Sequence, residues 1–195
     1  MEIKDTTTLR ARVFAGGQAS LVSTFTFTKR PANNIAAATA PAPGLTYELR
    51  EGVKFGMEPD LDDPMKWAGG KYKFTKSKEG RTDQIALPSN CPKTMFSVVF
   101  NGFVEIPRDG LYTFFANADD ECRLYVDEEK VIDLSGRKVP PDLGMTELQG
   151  RRLLSKGLHK LRLEFVQMRD AYGLEVQWQG PGISKQPIAA SYLKH

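Results

Sequence analysis

One stretch constrains the fold of this chain more than any other. Between Phe96 and Ile106, the residues Phe96, Val98, Phe100, Gly102, Val104 and Ile106 recur at every second position, with Val99 and Phe103 on the opposite side. A sustained period of two marks a β-strand, because successive side chains point to opposite faces. Apolar residues on both sides imply a strand covered on both faces. Pro107-Arg108-Asp109-Gly110 follows, with proline and glycine where a tight turn needs them. Leu111 to Ala116 then returns, with Tyr112 and Phe114 opposing Thr113 and Phe115, so the expected unit is a β-hairpin.

The same pattern recurs downstream. Cys122 to Asp127 reads as a strand that turns through Asp127-Glu128-Glu129-Lys130 into Val131-Ile132. Between Leu158 and Val166, Leu161, Leu163 and Phe165 alternate with Lys160, Arg162 and Glu164. Leu174, Val176 and Trp178 alternate with Glu175, Gln177 and Gln179, which puts Trp178 on a core-facing side. No long stretch has a helical period, and there is no internal repeat. Many short strands at close spacing predict an all-β chain, an antiparallel sandwich or barrel.

The N-terminal part reads as a separate piece. Leu9, Ala11 and Val13 alternate with Arg10 and Arg12, Gly16-Gly17 supplies a turn, and Phe25 and Phe27 oppose Thr24, Thr26 and Thr28. This hairpin carries an apolar face that needs a partner, since two strands alone are marginal in water. Residues 1–30 are therefore expected to be the end of a truncated β domain. Pro31 to Pro43, rich in proline and alanine and without charge, reads as a semi-extended linker. Residues 44–195 form the main β domain.

Composition excludes more than it selects. The 195 residues carry 27 basic and 24 acidic side chains, a net charge of +3, which is too slight to point to nucleic acid. No run approaches the ~20 apolar residues a bilayer requires, so no membrane insertion is expected. His159 and His195 are the two histidines, little material for histidine catalysis or a zinc site. Cys91 and Cys122 permit one disulfide at most, and the sequence leaves that pairing open. No nucleophile elbow, zinc-protease motif or phosphate loop appears, so no catalytic residue is assigned. The opening MEIKDTTTLR has no apolar signal core, but a chain that starts in mid-fold says little about its compartment.

Several ordered stretches together resemble the PA14 domain. They are Gly44-Leu45-Thr46-Tyr47-Glu48, Phe100-Asn101-Gly102-Phe103-Val104-Glu105-Ile106-Pro107, Asp109-Gly110-Leu111-Tyr112-Thr113-Phe114 and Ala118-Asp119-Asp120. Arg123-Leu124-Tyr125-Val126-Asp127, Gly157-Leu158-His159-Lys160-Leu161 and Trp178-Gln179-Gly180-Pro181-Gly182 complete the set, which spans Gly44 to Leu193. Thr6-Thr7-Thr8-Leu9-Arg10-Ala11-Arg12 with Gly17-Gln18-Ala19-Ser20 is similar to the end of a fibronectin-like or chitobiase C-terminal-type domain. The tandem resembles the C-terminal accessory region of a bacterial glycoside hydrolase. That resemblance implies an extracytoplasmic, non-catalytic module whose partners are glycan and the catalytic domain of a parent chain. A structural spacer or interaction module without sugar affinity is the alternative.

The resemblance also implies a site. In lectin-like PA14 members an Asp-Asp pair binds calcium, which grips sugar hydroxyls; here the pair is Asp119 and Asp120, the expected metal ligands. The other reading of the same pair is structural, with the carboxylates capping neighbouring amides. This sequence departs from the pattern: Glu121-Cys122 follows the pair, and the second loop, Gln167 to Tyr172, offers Asp170 but no asparagine. Asp170 and Tyr172 are the further ligand-binding candidates there. Trp67 and Tyr72 in a Gly- and Lys-rich segment are candidate sugar platforms, Trp67 a ligand-binding candidate, against a favoured reading of ordinary packing. Lys66, Lys71, Lys73, Lys76, Lys78 and Arg81 read as a solvated basic face, and Asp60, Asp62 and Asp63 lack the spacing of a calcium loop.

Overall fold

A computed structural model describes residues 5–28, 41–51, 76–134, 147–167 and 171–195. The chain divides into two compact units, Met1–Ala32 and Asn33–His195.

The first unit holds β1 (Thr7–Ala11), β2 (Phe14–Ala15), β3 (Gln18–Ala19) and β4 (Ser23–Phe27). β1 pairs antiparallel with β4, setting Leu9 opposite Phe25, and β2 pairs with β3. Gly16 and Gly17 close the turn at φ +57° and +77°, values that favour glycine in a two-residue hairpin. Phe14, Leu21, Phe25 and Phe27 remain exposed.

The second unit is a β-sandwich. Its strands are β5 (Leu45–Glu51), β6 (Lys76–Thr82), β7 (Phe96–Ile106), β8 (Gly110–Asp119), β9 (Glu121–Val126) and β10 (Glu129–Asp133). β11 (Leu148–Leu154), β12 (Gly157–Gln167), β13 (Gly173–Gly180), β14 (Ile183–Pro187) and β15 (Leu193–Lys194) follow. Among the described residues one sheet runs β10-β9-β12-β7-β5-β6, with β15 also on β7, and the other runs β11-β8-β13-β14.

This topology corrects the hairpin expected at Pro107 to Gly110. β7 and β8 lie in different sheets and face each other across the core rather than pairing. Alternation identifies which side of each strand is buried, and that side is the same whether two strands lie abreast or face to face. The corner is held by the Tyr112 hydroxyl, which donates to the Arg108 carbonyl at 2.9 Å.

The core fills the space between the sheets. Phe96, Val98, Phe100, Val104 and Ile106 of β7 face Tyr112, Phe114 and Trp178 of the smaller sheet, all fully buried. Trp178 stacks on Tyr112 at 5.5 Å and 28° and meets Tyr192 edge-on at 5.1 Å, the core role expected of it. β7 is also buried on its outer side over its first half, at Ser97 and Val99, while its second half alternates. Ala42 and Pro43, read from the sequence as linker, already join the sandwich: the Ala42 amide donates to the His195 carbonyl and Pro43 bridges to Lys194. Both cysteines are free thiols.

Candidate functional site

Two corners of the sandwich meet at one end. The first carries the chain from β8 to β9 through Asp119, Asp120 and Glu121. The second carries it from β12 to β13, between Gln167 and Gly173. Both corners cross from one sheet to the other, and each sheet ties them together. In the smaller sheet Gly173 is opposite Asp119; in the larger sheet Val166 is opposite Glu121. The strand ends that enter and leave the two corners therefore stand side by side as hydrogen-bonded neighbours.

Asp119 and Asp120 are half-buried, their shared peptide is cis, and both have interaction partners. Tyr172 is 39% exposed and seats its ring edge-on against buried Phe96, with centroids 5.3 Å apart at 81°. Phe96 in turn leans on Phe165. Buried Gln167 donates from Nε2 to the Ala171 carbonyl at 3.4 Å, which steadies the approach to Tyr172. The corner thus places the half-buried Asp119-Asp120 pair on the strand end opposite Gly173, next in sequence to the partly exposed Tyr172.

Of the residues singled out in the sequence, the fold brings Asp119, Asp120 and Tyr172 together. Trp67, Tyr72, Asp170, Lys66, Lys71, Lys73, Asp60, Asp62 and Asp63 lie outside the described residues. Of the basic run, Lys76, Lys78 and Arg81 fall on β6, an edge of the larger sheet, where Lys78 pairs with Glu51 at 3.2 Å. Among the described residues no three His, Cys, Asp or Glu side chains gather to hold a metal ion. Calcium takes six to eight oxygens, more than the two adjacent carboxylates of Asp119 and Asp120 offer by themselves.

Periodicity does not reveal the partner of His159. Its Nδ1 lies 2.7 Å from the Asp127 Oδ2 and its Nε2 2.9 Å from the Ser155 carbonyl. The ring is fully buried, so the pair serves the fold and not a substrate.

Comparison with known proteins bears on this geometry. The PA14 domain family matches residues 41–192. A β-hexosaminidase from Porphyromonas gingivalis is 28% identical over 167 residues, covering 85% of this chain. The match occupies 20% of that relative, so the chain spans about one fifth of its length. Among solved structures, a subtype-switched epithelial adhesin A domain from Candida glabrata, in complex with β-lactose, superposes with a TM-score of 0.61 at 15% identity, covering 85% of this chain and 93% of its own. A PA14 sugar-binding domain from an RTX adhesin gives 0.58 at 17% identity, covering 78% and 98%.

Proposed function

We propose, from the premise that this chain belongs to the PA14 domain family, that its second unit binds glycan at the corner of Asp119, Asp120 and Tyr172. It does so as a non-catalytic accessory module of a secreted, extracytoplasmic glycoside hydrolase. One observation supports this reading: the Gly173–Asp119 and Val166–Glu121 pairs bring the aspartate pair and the strand end next to the partly exposed Tyr172 to the same end of the sandwich. A pyranose has an apolar face suited to a ring such as Tyr172 and hydroxyls suited to carboxylate acceptors. The relative named as a β-hexosaminidase and the structural neighbours named for lactose and sugar binding support the same reading. The catalytic domain of a parent chain is the second partner in this proposal, and residues 1–30 are the end of a fibronectin-like domain between them. Calcium, held by Asp119 and Asp120, would add a Lewis-acidic anchor for sugar hydroxyls.

A glycan array probed with and without calcium tests the proposal. Selective binding that is lost in Asp119→Ala supports it; a flat profile in both conditions overturns it. A spacer or interaction module without sugar affinity is the second reading. It is favoured by the first unit, which leaves Phe14, Leu21, Phe25 and Phe27 exposed. Its signature is a flat array together with capture of the catalytic domain.

A further inference from the structure

A groove of about 580 Å³ opens on the outer face of the larger sheet. It forms where β7 changes neighbour. β5 leaves β7 at the Thr46–Asn101 pair, and β15 takes over at the Lys194–Phe103 pair, with Gly102 between them. The register then lays the groove out across three strands. Asn101 is opposite Arg162, Arg162 is opposite Tyr125, and Phe103 is opposite Lys160. Phe103 and Tyr125 are thus two strands apart and offset by two residues, ~12 Å, and both are half-buried.

The polar groups of the groove are held in place and electrically matched. Lys160 donates to Glu128 at 2.7 Å. Arg162 donates to Glu164 from Nε at 2.8 Å and pairs with it through Nη2 at 2.7 Å. Its Nη1 donates to the Asn101 Oδ1 at 3.3 Å. Each cation already has a carboxylate partner, so the groove offers a phosphate or sulfate no net positive charge. A neutral ligand keeps both pairs and still finds donors and acceptors between two aromatic surfaces. The Nδ1 of His195, at the edge of the groove, is buried without a hydrogen-bond partner among the described residues, the condition in which a ligand hydroxyl is most favourable. The volume lies in the range of small-ligand sites, and rings flanked by a few convergent polar groups are what a sugar needs.

We propose that this groove is a subsite for a neutral oligosaccharide, separate from the corner of Asp119, Asp120 and Tyr172. Six residue steps along β7, ~20 Å, separate Phe96 at that corner from Gly102 in the groove. The proposal rests on the glycan-binding reading and adds a second, calcium-independent contact to it.

Calorimetric titration with lactose, cellotriose and triacetylchitotriose tests it, run in calcium and in EDTA. The proteins are the wild-type chain, Asp119→Ala/Asp120→Ala, Tyr125→Ala and Asn101→Trp. Asn101 is exposed, so a tryptophan there fills the groove without entering the core. Unchanged melting temperatures establish that each variant is folded. The expected result is binding in EDTA that survives the double aspartate variant and weakens about tenfold in Tyr125→Ala and in Asn101→Trp. Absence of saturable binding in EDTA, or binding indifferent to both groove variants, overturns the subsite. Calcium-dependent binding lost only in the aspartate variant would leave the corner site standing while the groove falls; the converse pattern would sink the corner alone.

Discussion

His159 and Asp127 form a buried pair, Nδ1 to Oδ2 at 2.7 Å, with the two side chains 0% and 5% exposed. Asp127 also accepts the Lys160 amide on Oδ1 at 3.1 Å and sits at φ +53°, so it holds both the β9–β10 turn and the start of β12. Removing one partner strands the other in a dry site. Asp127→Ala is expected to cost about 3 kcal/mol in urea unfolding, and His159→Ala a similar amount. The double variant should fall well short of their sum, because the stranded group is gone. Simple additivity would show that the pair is not energetically coupled.

The stacked Tyr112–Trp178 pair is the centre of the core. Trp178→Ala should cost ~3–5 kcal/mol, seen as a large drop in the denaturant midpoint. A Cβ on Gly180 would strike the Tyr112 ring, so Gly180→Ala should destabilise by about 1–3 kcal/mol through overpacking. A Gly180→Ala protein as stable as wild type would refute that contact.

Burial pushes the Cys91 thiol up to about 11 and the Cys122 thiol up to about 12, with Glu51 and Asp133 adding to the respective shifts. In the unfolded chain both thiols ionise near their ordinary value, about 9. Above that pH the folded state binds more protons than the unfolded state, so stability falls as pH rises, until each folded thiol also ionises. Urea midpoints should drop as pH rises from about 9 to about 11, and the drop should shrink in Cys122→Ala. Rapid alkylation of Cys122 in the native protein at neutral pH would contradict its burial.

Glu48 titrates below its ordinary value. The hydrogen bond from Arg50 is the main cause; burial opposes it, and a Ser77 hydroxyl at 2.8 Å assists the lowering. Its stabilising contribution is present above the ordinary carboxylate value and is lost as pH falls through the depressed one. Glu48→Gln should therefore be less stable than wild type near neutrality, and the two should converge as pH falls through the depressed value, so that the acid limb of Glu48→Gln is the shallower. Identical acid limbs would show that Arg50 does not favour the charged form.

How far the fold was legible varied with the kind of signal. β7, β9, β12 and β13 follow from apolar alternation, because one or both of their faces enter the core. β6 does not: Lys-Ser-Lys-Glu-Gly-Arg-Thr has no apolar period and reads as a charged surface. It is a strand because β5 offers it a ladder, and its charges are what an exposed edge tolerates. The neighbourhood of Tyr172 and the aspartate pair was foreseeable from the family resemblance. The groove at Asn101, Phe103 and Tyr125 was not, since it depends on which strand replaces β5 beside β7.

Local sequence by itself determined the class of structure: the period of two, the Gly16-Gly17 turn and the buried side of Trp178. Short-range sterics and the demand to bury every second residue are enough for that. Only the tertiary structure decided that β7 and β8 face each other rather than pair, that His159 meets Asp127, and that two corners and one groove bring distant polar residues together. Those outcomes depend on strand order and register between residues far apart in the chain, and alternation is the same for every order in which the strands can be laid.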